Sequence, residues 1–230
     1  MTILTDLREF FFPRICAVCG KKLTLTEEGV CVACLQHLPY TRLQDAADNS
    51  MEKCFWGRFP IERAFSLFYF EKGGAVADLL HAMKYHGQKQ LCRSMGKLIG
   101  AELAGTSFFC DIDYLIPVPL FPTRQKQRGY NQSRLLSDGI SLLTGIPVRE
   151  KFLIRLRNNA TQTHKSSFGR WENVEGLFSI TPGTFNQLEN KHILLVDDVL
   201  TTGATLVSCA DAFAGITGIR ISVVTLAWAK

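Results

Sequence analysis

Apolar residues recur along this chain with two periods, and segments of the two kinds alternate. Aromatic or continuously apolar runs predict strands at 64–70, 114–118, 152–156, 193–196 and 219–227. Apolar residues three and four positions apart predict helices at 76–85, 91–103, 132–143 and 205–213. Strands that alternate with helices are typical of a mainly parallel sheet with helices on both faces. The pattern therefore predicts an α/β fold.

Residues 1–12 are apolar on one helical face, but Asp6, Arg8 and Glu9 interrupt the run. A signal peptide has a continuous apolar run, and a bilayer span needs about 20 apolar residues. We therefore expect a short amphipathic helix packed on the body, without membrane insertion. This interpretation places the protein in the cytoplasm, a reducing compartment.

Four of the eight cysteines form two Cys-x-x-Cys pairs, with eleven residues between the pairs: Cys16, Cys19, Cys31 and Cys34. In a reducing compartment such pairs indicate a metal site rather than disulfides. Gly20 permits the tight turn that aims backbone N–H groups at sulfur. Four thiolates leave no open coordination position, so the prediction is structural zinc. A redox pair, four unrelated buried thiols, and His37 as a replacement ligand are the alternatives.

The other cysteines are isolated, and each is interpreted as a small core residue: Cys54, Cys92, Cys110 and Cys209. Residues 13–40 show little hydrophobic periodicity, and residues 41–58 are polar and rich in turn formers. The predicted division is therefore a helix, metal module and connector at 1–58, followed by one larger domain at 59–230.

The most informative motif follows the predicted strand at 193–196. Asp197 and Asp198 come directly after the strand, at the sheet edge where open α/β sheets bind ligands. The next residues enter a helix and offer backbone N–H groups and hydroxyls to a phosphate: Thr201, Thr202, Gly203, Ala204 and Thr205. The lysine of a Walker A loop is absent, which argues against a nucleoside triphosphatase. The alternative is an ordinary turn whose acids and threonines cap a helix.

These residues resemble the fingerprint of the type I phosphoribosyltransferases. The resemblance implies that fold, with 5-phosphoribosyl pyrophosphate (PRPP) bound together with Mg²⁺. It also implies that Asp197 and Asp198 hold the ribose hydroxyls, while residues 201–205 hold the 5′-phosphate.

Further motifs resemble the ComF/GntX family, which joins a four-cysteine zinc module to such a domain and is linked to natural competence and use of external DNA. They are Pro117, Val118, Pro119, Leu120, Arg124, and the run from Arg128 to Gln132. The resemblance implies that 117–120 form the pyrophosphate loop, near Arg124 and Arg128, and that competence proteins are partners. Alternatively, the prolines only end a strand. Some family members have a further cysteine pair near Cys54, and this chain lacks it.

Positive charge is concentrated in one part of the chain. The net charge is +5, whereas residues 124–170 hold ten Lys or Arg against Asp138 and Glu150, a difference of +8. Such a run indicates an anionic partner, with a solvated basic face as the alternative.

Two functional hypotheses remain open. In the first, the chain is a transferase in which Asp197 and Asp198 anchor the ribose and Arg124 offsets the charge of the leaving pyrophosphate. The polar segment 158–176 would then be a lid over the site, with Lys165 and Arg170 acting on the same charge. In the second, the chain keeps the PRPP pocket without catalysis and binds single-stranded DNA. Its aromatic platforms would be Tyr130, Phe168 and Trp171.

Overall fold

The computed structural model describes residues 13–44, 46, 48–85, 87–157 and 176–230. Its strands are β1 (Ala64–Tyr69), β2 (Tyr114–Pro117), β3 (Leu153–Arg155), β4 (Phe178–Ile180), β5 (His192–Leu200) and β6 (Arg220–Trp228). Its helices are α1 (Val32–His37), α2 (Ala75–Tyr85), α3 (Lys89–Leu103), α4 (Pro122–Arg128), α5 (Gln132–Thr144) and α6 (Ala204–Asp211). Short 3-10 turns occur at Glu52–Cys54 and Phe185–Gln187. The helix predicted at 1–12 lies outside the described residues.

Four strands form one parallel sheet in the order β1-β6-β5-β2. The central strand β5 pairs with β6 from His192 to Leu200, but with β2 only as far as Val196. β3 and β4 form a separate antiparallel pair. The predicted α/β class with a mainly parallel sheet is confirmed.

Alternate residues of β5 enter two different hydrophobic cores, as the two faces of a sheet require. Leu194 and Val196 pack with α2, α3 and α5, whereas Ile193 and Leu195 pack with α6 and the β3–β4 pair. Helices therefore cover both faces. The first core also contains Cys16, Cys31 and other apolar residues of the N-terminal module.

The N-terminal module is also attached to α3 by polar contacts. The Glu28 carboxylate accepts a hydrogen bond from the Ser94 hydroxyl at 2.8 Å and pairs with the Lys97 ammonium at 3.0 Å. The four-cysteine segment is thus fixed against the body of the protein.

Helices α3 and α5 approach so closely that their backbones touch. A Cβ atom on Gly96 would lie 2.1 Å from the Leu136 carbonyl oxygen, and one on Gly139 would lie 2.2 Å from the Arg93 carbonyl oxygen. Both positions therefore require glycine for steric reasons.

Two elements near the site differ from the sequence prediction. β5 does not end at Val196 but continues through both aspartates to Leu200, because β6 goes on pairing with it. The helix α4 was not predicted, since its sequence has no apolar periodicity. Pro122 in its first turn and Gly129 at its C-cap, with a φ of 78°, set its ends.

Candidate ligand site at the carboxyl edge of the sheet

Asp197 and Asp198 lie where β5 has lost one neighbouring strand and kept the other. Asp197 is in register with Thr225 of β6. On the opposite side, β2 has already ended, and the Val118 N–H makes a last bond to the Val196 carbonyl at 2.9 Å. Both carboxylates therefore stand beyond the end of β2, at the carboxyl edge of the sheet that binds ligands in open α/β folds.

Each aspartate is held by a side chain from a helix on the same face. The Ser133 hydroxyl of α5 donates to the Asp197 carboxylate at 3.0 Å. The Lys84 ammonium of α2 lies 3.0 Å from the Asp198 carboxylate. Sequence analysis assigned neither Ser133 nor Lys84 to the site.

The two aspartates differ in their contact with Lys84, whose ammonium pairs directly with Asp198 and acts on Asp197 only as a minor charge effect. Burial, and then the neighbouring Asp198 carboxylate, raise the pKa of Asp197 to about 7, against the bonds from the Asp198 N–H and Ser133. A buried carboxyl beside a second carboxyl, with few bonding partners, suits a ligand that brings hydroxyl donors or a cation.

The loop after β5 forms a small concavity of about 20 Å³, lined by residues 197, 199–201 and 203–206. Gly203 has a φ of 82° and caps the N-terminus of α6, as expected from the sequence. The Arg58 guanidinium holds the loop from outside, donating to the Thr202 carbonyl at 3.1 Å. The free N–H groups of a helix N-terminus with glycine beside them suit a phosphate group.

The proline loop at 117–120 is fixed to the start of α5. Asn131 caps this helix by accepting a bond from the Ser133 N–H at 3.0 Å. Its amide nitrogen donates to the Val118 carbonyl, also at 3.0 Å. One residue thus positions both the proline loop and the serine that bonds Asp197.

Arg124 and Arg128 lie one turn apart on α4, and their surroundings differ. Arg128 donates to the Gln132 side chain at 3.0 Å and lies over the Tyr85 ring. Arg124 instead acts on Arg155 of β3: burial lowers the pKa of Arg155, and the charge of Arg124 lowers it further. Asp197 acts on the same guanidinium in the opposite direction. The structure thus adds Arg155 to the basic side of the site.

Some site residues expected from the sequence cannot be located, and one is corrected. Lys165, Arg170, Phe168 and Trp171 lie outside the described residues. Tyr130 is only 7% exposed, and its hydroxyl donates to the Met83 carbonyl at 2.7 Å. Its ring is therefore part of the core, and the expectation that bases stack on it was wrong.

The basic run is only partly a solvated face. Arg134 pairs with both acidic residues of the run, Asp138 and Glu150. Arg149 lies over the Tyr114 ring at 5.0 Å, and Arg155 lies over the Phe178 ring at 5.3 Å.

The four paired cysteines converge on one point. Their sulfur atoms all lie within 4.8 Å of one another, and the Cys19 and Cys31 sulfurs are 3.8 Å apart. A tetrahedral ion with metal–sulfur bonds of about 2.3 Å would separate its ligands by about 3.8 Å. Burial alone would raise the pKa of Cys16, but bonds from the N–H groups of Cys19, Cys31 and Val18 lower it to about 7. The cluster therefore can hold a metal ion.

Within the described part of the chain, His37 and Cys54 are not in this cluster. His37 is exposed, and its Nδ1 lies 2.7 Å from the Ala33 carbonyl oxygen. Cys92 and Cys209 are buried core residues, as predicted, and Cys54 is half-buried. Cys110 is exposed, so its interpretation as a core residue was wrong.

Comparison with known proteins gives relatives along most of the chain. It is 28% identical to competence protein F of Haemophilus influenzae, over 85% of this chain and 89% of the relative. It is 27% identical to the DNA utilization protein YhgH of Salmonella typhimurium, over 86% and 90%. A shorter match, 38% identical, covers 40% of this chain and 34% of competence protein ComFC of Bacillus subtilis.

Two further comparisons support no assignment. No protein-family model matches the chain. A Trypanosoma brucei adenine phosphoribosyl transferase structure aligns over 80% of this chain and 81% of that one, with 13% identity and a TM-score of 0.33, too low to carry an argument. Among the described residues, no helix has the length and apolarity needed to cross a bilayer. The long matches confirm the resemblance seen in the motifs: this chain is a homologue of the competence F and DNA utilization proteins.

Proposed function

We propose that the protein binds PRPP, with Mg²⁺, at the carboxyl edge of its sheet, and that it acts in the uptake or use of external DNA. The observation that carries the first part is the pair of adjacent aspartates beyond the end of β2, followed directly by a small concavity at a helix N-terminus. The names of the long relatives, competence protein F and DNA utilization protein YhgH, support the second part.

Each group of PRPP has a counterpart in this arrangement. Ribose hydroxyls are donors, and Asp197 and Asp198 offer carboxylate oxygens as acceptors. The 5′-phosphate is an acceptor, and residues 201–205 offer N–H groups and hydroxyls. The pyrophosphate is a polyanion, and it would lie toward the proline loop and Arg124.

The electrostatic effect between Arg124 and Arg155 supports the pyrophosphate assignment. The charge of Arg124 lowers the pKa of the buried Arg155 guanidinium, and an anion bound near both groups would offset that repulsion. Such an arrangement stabilises a leaving pyrophosphate as negative charge develops on it. Transfer would break the bond from ribosyl C1 to pyrophosphate and form a bond from C1 to an acceptor nitrogen. The Mg²⁺ bound to PRPP would neutralise part of the leaving charge.

We propose that the ion held by the four cysteines is zinc, in a structural role. Four sulfur donors at tetrahedral spacing fit Zn²⁺ and leave no position for a substrate. Unpaired thiols at a metal site require reducing conditions, which supports a cytoplasmic location.

The names of the long relatives make competence proteins the expected protein partners.

A second candidate is a non-catalytic protein that keeps the PRPP pocket and binds single-stranded DNA. The DNA-related names of the relatives and the +8 charge of residues 124–170 favour it. Lysine and arginine contacts to phosphates would then supply most of the affinity and make it salt-dependent.

Radiolabelled PRPP separates the two candidates. We would measure its equilibrium binding, its turnover with a panel of nucleobases and oligonucleotides, and DNA binding on filters. Turnover with any acceptor supports the transferase, whereas PRPP and DNA binding without turnover supports the second candidate. Failure of PRPP to bind at millimolar concentration would reject both.

A further inference from the structure

An exposed aromatic and cationic surface adjoins the acid pair, at the point where α2 and α4 end. Tyr85 is 62% exposed although it directly follows Lys84, the residue that pairs with Asp198. The Arg128 guanidinium carbon lies 5.7 Å from the centre of its ring, and the His81 ring lies 4.8 Å away. Single exposed aromatic residues are common, so exposure alone indicates nothing.

What distinguishes this surface is how firmly its parts are positioned. The Met83 carbonyl, in the last turn of α2, accepts bonds from the Tyr130 hydroxyl at 2.7 Å and the Gln132 amide at 3.4 Å. The oxygen of the same Gln132 amide accepts the bond from Arg128. One glutamine therefore fixes the end of α2, which carries Tyr85, and the guanidinium that lies over the ring.

A firmly positioned ring with a guanidinium beside it has a specific affinity. Flat π-systems stack on tyrosine, and arginine adds cation–π and stacking contacts. Lys89, at 5.9 Å from the Tyr130 ring centre, adds positive charge near the same helix end. A nucleobase is a planar, electron-rich group that fits the ring and the guanidinium, and a phosphate in the same ligand would meet the charge of Lys89.

We propose that Tyr85 and Arg128 form a stacking site for one nucleobase beside the PRPP site. This inference rests on the proposed function, because it identifies the class of chemical group that would lie next to the bound ribosyl group. The base can belong to a free nucleoside or to a single-stranded DNA, and the chemistry of recognition is the same.

The test uses 2-aminopurine, whose fluorescence is quenched when it stacks. One arm titrates 2-aminopurine riboside, and the other titrates a single-stranded DNA oligonucleotide with one 2-aminopurine, each into the full-length, metal-loaded protein. We expect quenching in at least one arm, and a weakening of about 5- to 150-fold in Tyr85→Ala, the usual range for loss of one stacked base. Tyr85→Phe keeps the ring and should keep the affinity.

Arg42→Gln is the matched control, because Arg42 also lies over a tyrosine ring, that of Tyr40, at 5.0 Å. It pairs with Glu102 in the last turn of α3, about 20 Å along that helix from the Tyr85 side. This variant should bind both probes as the wild type does.

Quenching in the riboside arm assigns the site to a monomeric base, and quenching only in the oligonucleotide assigns it to a strand. Absence of quenching in both arms, or equal affinity of Tyr85→Ala and wild type, would overturn the proposal. PRPP binding by the wild type is measured separately. Tyr85-dependent quenching without PRPP binding would reject the proposed function alone, and the reverse result would reject the stacking site alone.

Discussion

The two ends of strand β5 each have a pair of aspartates, and the pairs have opposite electrostatic surroundings. At the amino end, Asp111 lies 2.8 Å from Arg63 and 2.7 Å from Arg220, and Asp113 lies 2.9 Å from Lys191. At the carboxyl end, Asp197 and Asp198 are adjacent, and Lys84 pairs with Asp198 at 3.0 Å.

The pKa directions follow from this difference. Burial alone would raise the pKa of Asp111, but bonds from Arg220 and Arg63 hold it well below its ordinary value. Burial and Asp198 raise the pKa of Asp197 to about 7. Compensated acids stabilise a fold, whereas under-compensated acids cost stability and are ready for a ligand. The amino end is therefore structural, and the carboxyl end is the functional candidate.

Removal of the metal ion should have the largest effect on the free energy of unfolding. Cys16→Ser should lose the ion and lower the free energy of unfolding by on the order of 5 kcal/mol, since a structural metal contributes its binding energy to folding. Metal content and urea denaturation would be measured. Cys54→Ser, outside the cluster, should retain both. A metal-free wild type that is fully folded would contradict the assignment.

Neutralising the carboxyl-end pair should abolish most PRPP binding while leaving the fold intact. Asp197→Asn with Asp198→Asn removes the acceptors of two charge-assisted bonds, each worth about 1.5–3 kcal/mol, so affinity should fall at least about 100-fold. Calorimetry would measure the affinity. Unchanged PRPP affinity would show that the ribose assignment is wrong.

Neutralising the amino-end acid should do the reverse. Asp111→Asn leaves Arg63 and Arg220 without their carboxylate and should cost about 1–2 kcal/mol, a value reduced for the partial exposure of all three groups. PRPP affinity should stay unchanged, because Asp197 lies about 17 Å further along β5 than His192, which contacts Asp111. Weaker PRPP binding with unchanged stability would reverse the comparison.

The pH dependence of stability should differ in sign between the two ends. The folded pKa of Asp197 is raised, so the unfolded chain releases its proton first. Stability should therefore fall as pH rises from about 4 to 7. The folded pKa of Asp111 is lowered, so its contribution is present above about pH 4 and is lost below it.

Urea denaturation from pH 3 to 8 would test both signs. Asp197→Asn should remove the fall between about pH 4 and 7, and Asp111→Asn should reduce the loss below about pH 4. Parallel pH profiles for wild type and Asp197→Asn would show that this acid is not under-compensated.

The sequence predicted those parts of the site that are contiguous in the chain. Two acids, a glycine and threonines within nine residues belong to one strand and one turn, so local rules suffice. Ser133 is 64 residues from Asp197, and Arg155 lies on a three-residue strand. No local pattern reports such partners, because they meet only when the sheet and its helices are assembled.

Two errors in sequence interpretation have the same cause. Tyr130 was interpreted as a platform for stacked bases, yet tertiary contacts with the end of α2 bury it. β5 was expected to be short because its apolar run stops at Val196, yet pairing with β6 extends it through the acids. In both cases long-range contacts, rather than the local sequence, determine the structure.

The contact between Gly96 and Gly139 also determines how the protein should respond to pressure. Protein interiors yield mainly at voids and loosely packed layers, and here backbone lies against backbone with no side chains between. The seam between α3 and α5 should therefore be nearly incompressible. Lys97 of α3 pairs with Glu28 of the N-terminal module. We therefore expect that a displacement of α3 would also move α5 and its Ser133, which bonds Asp197.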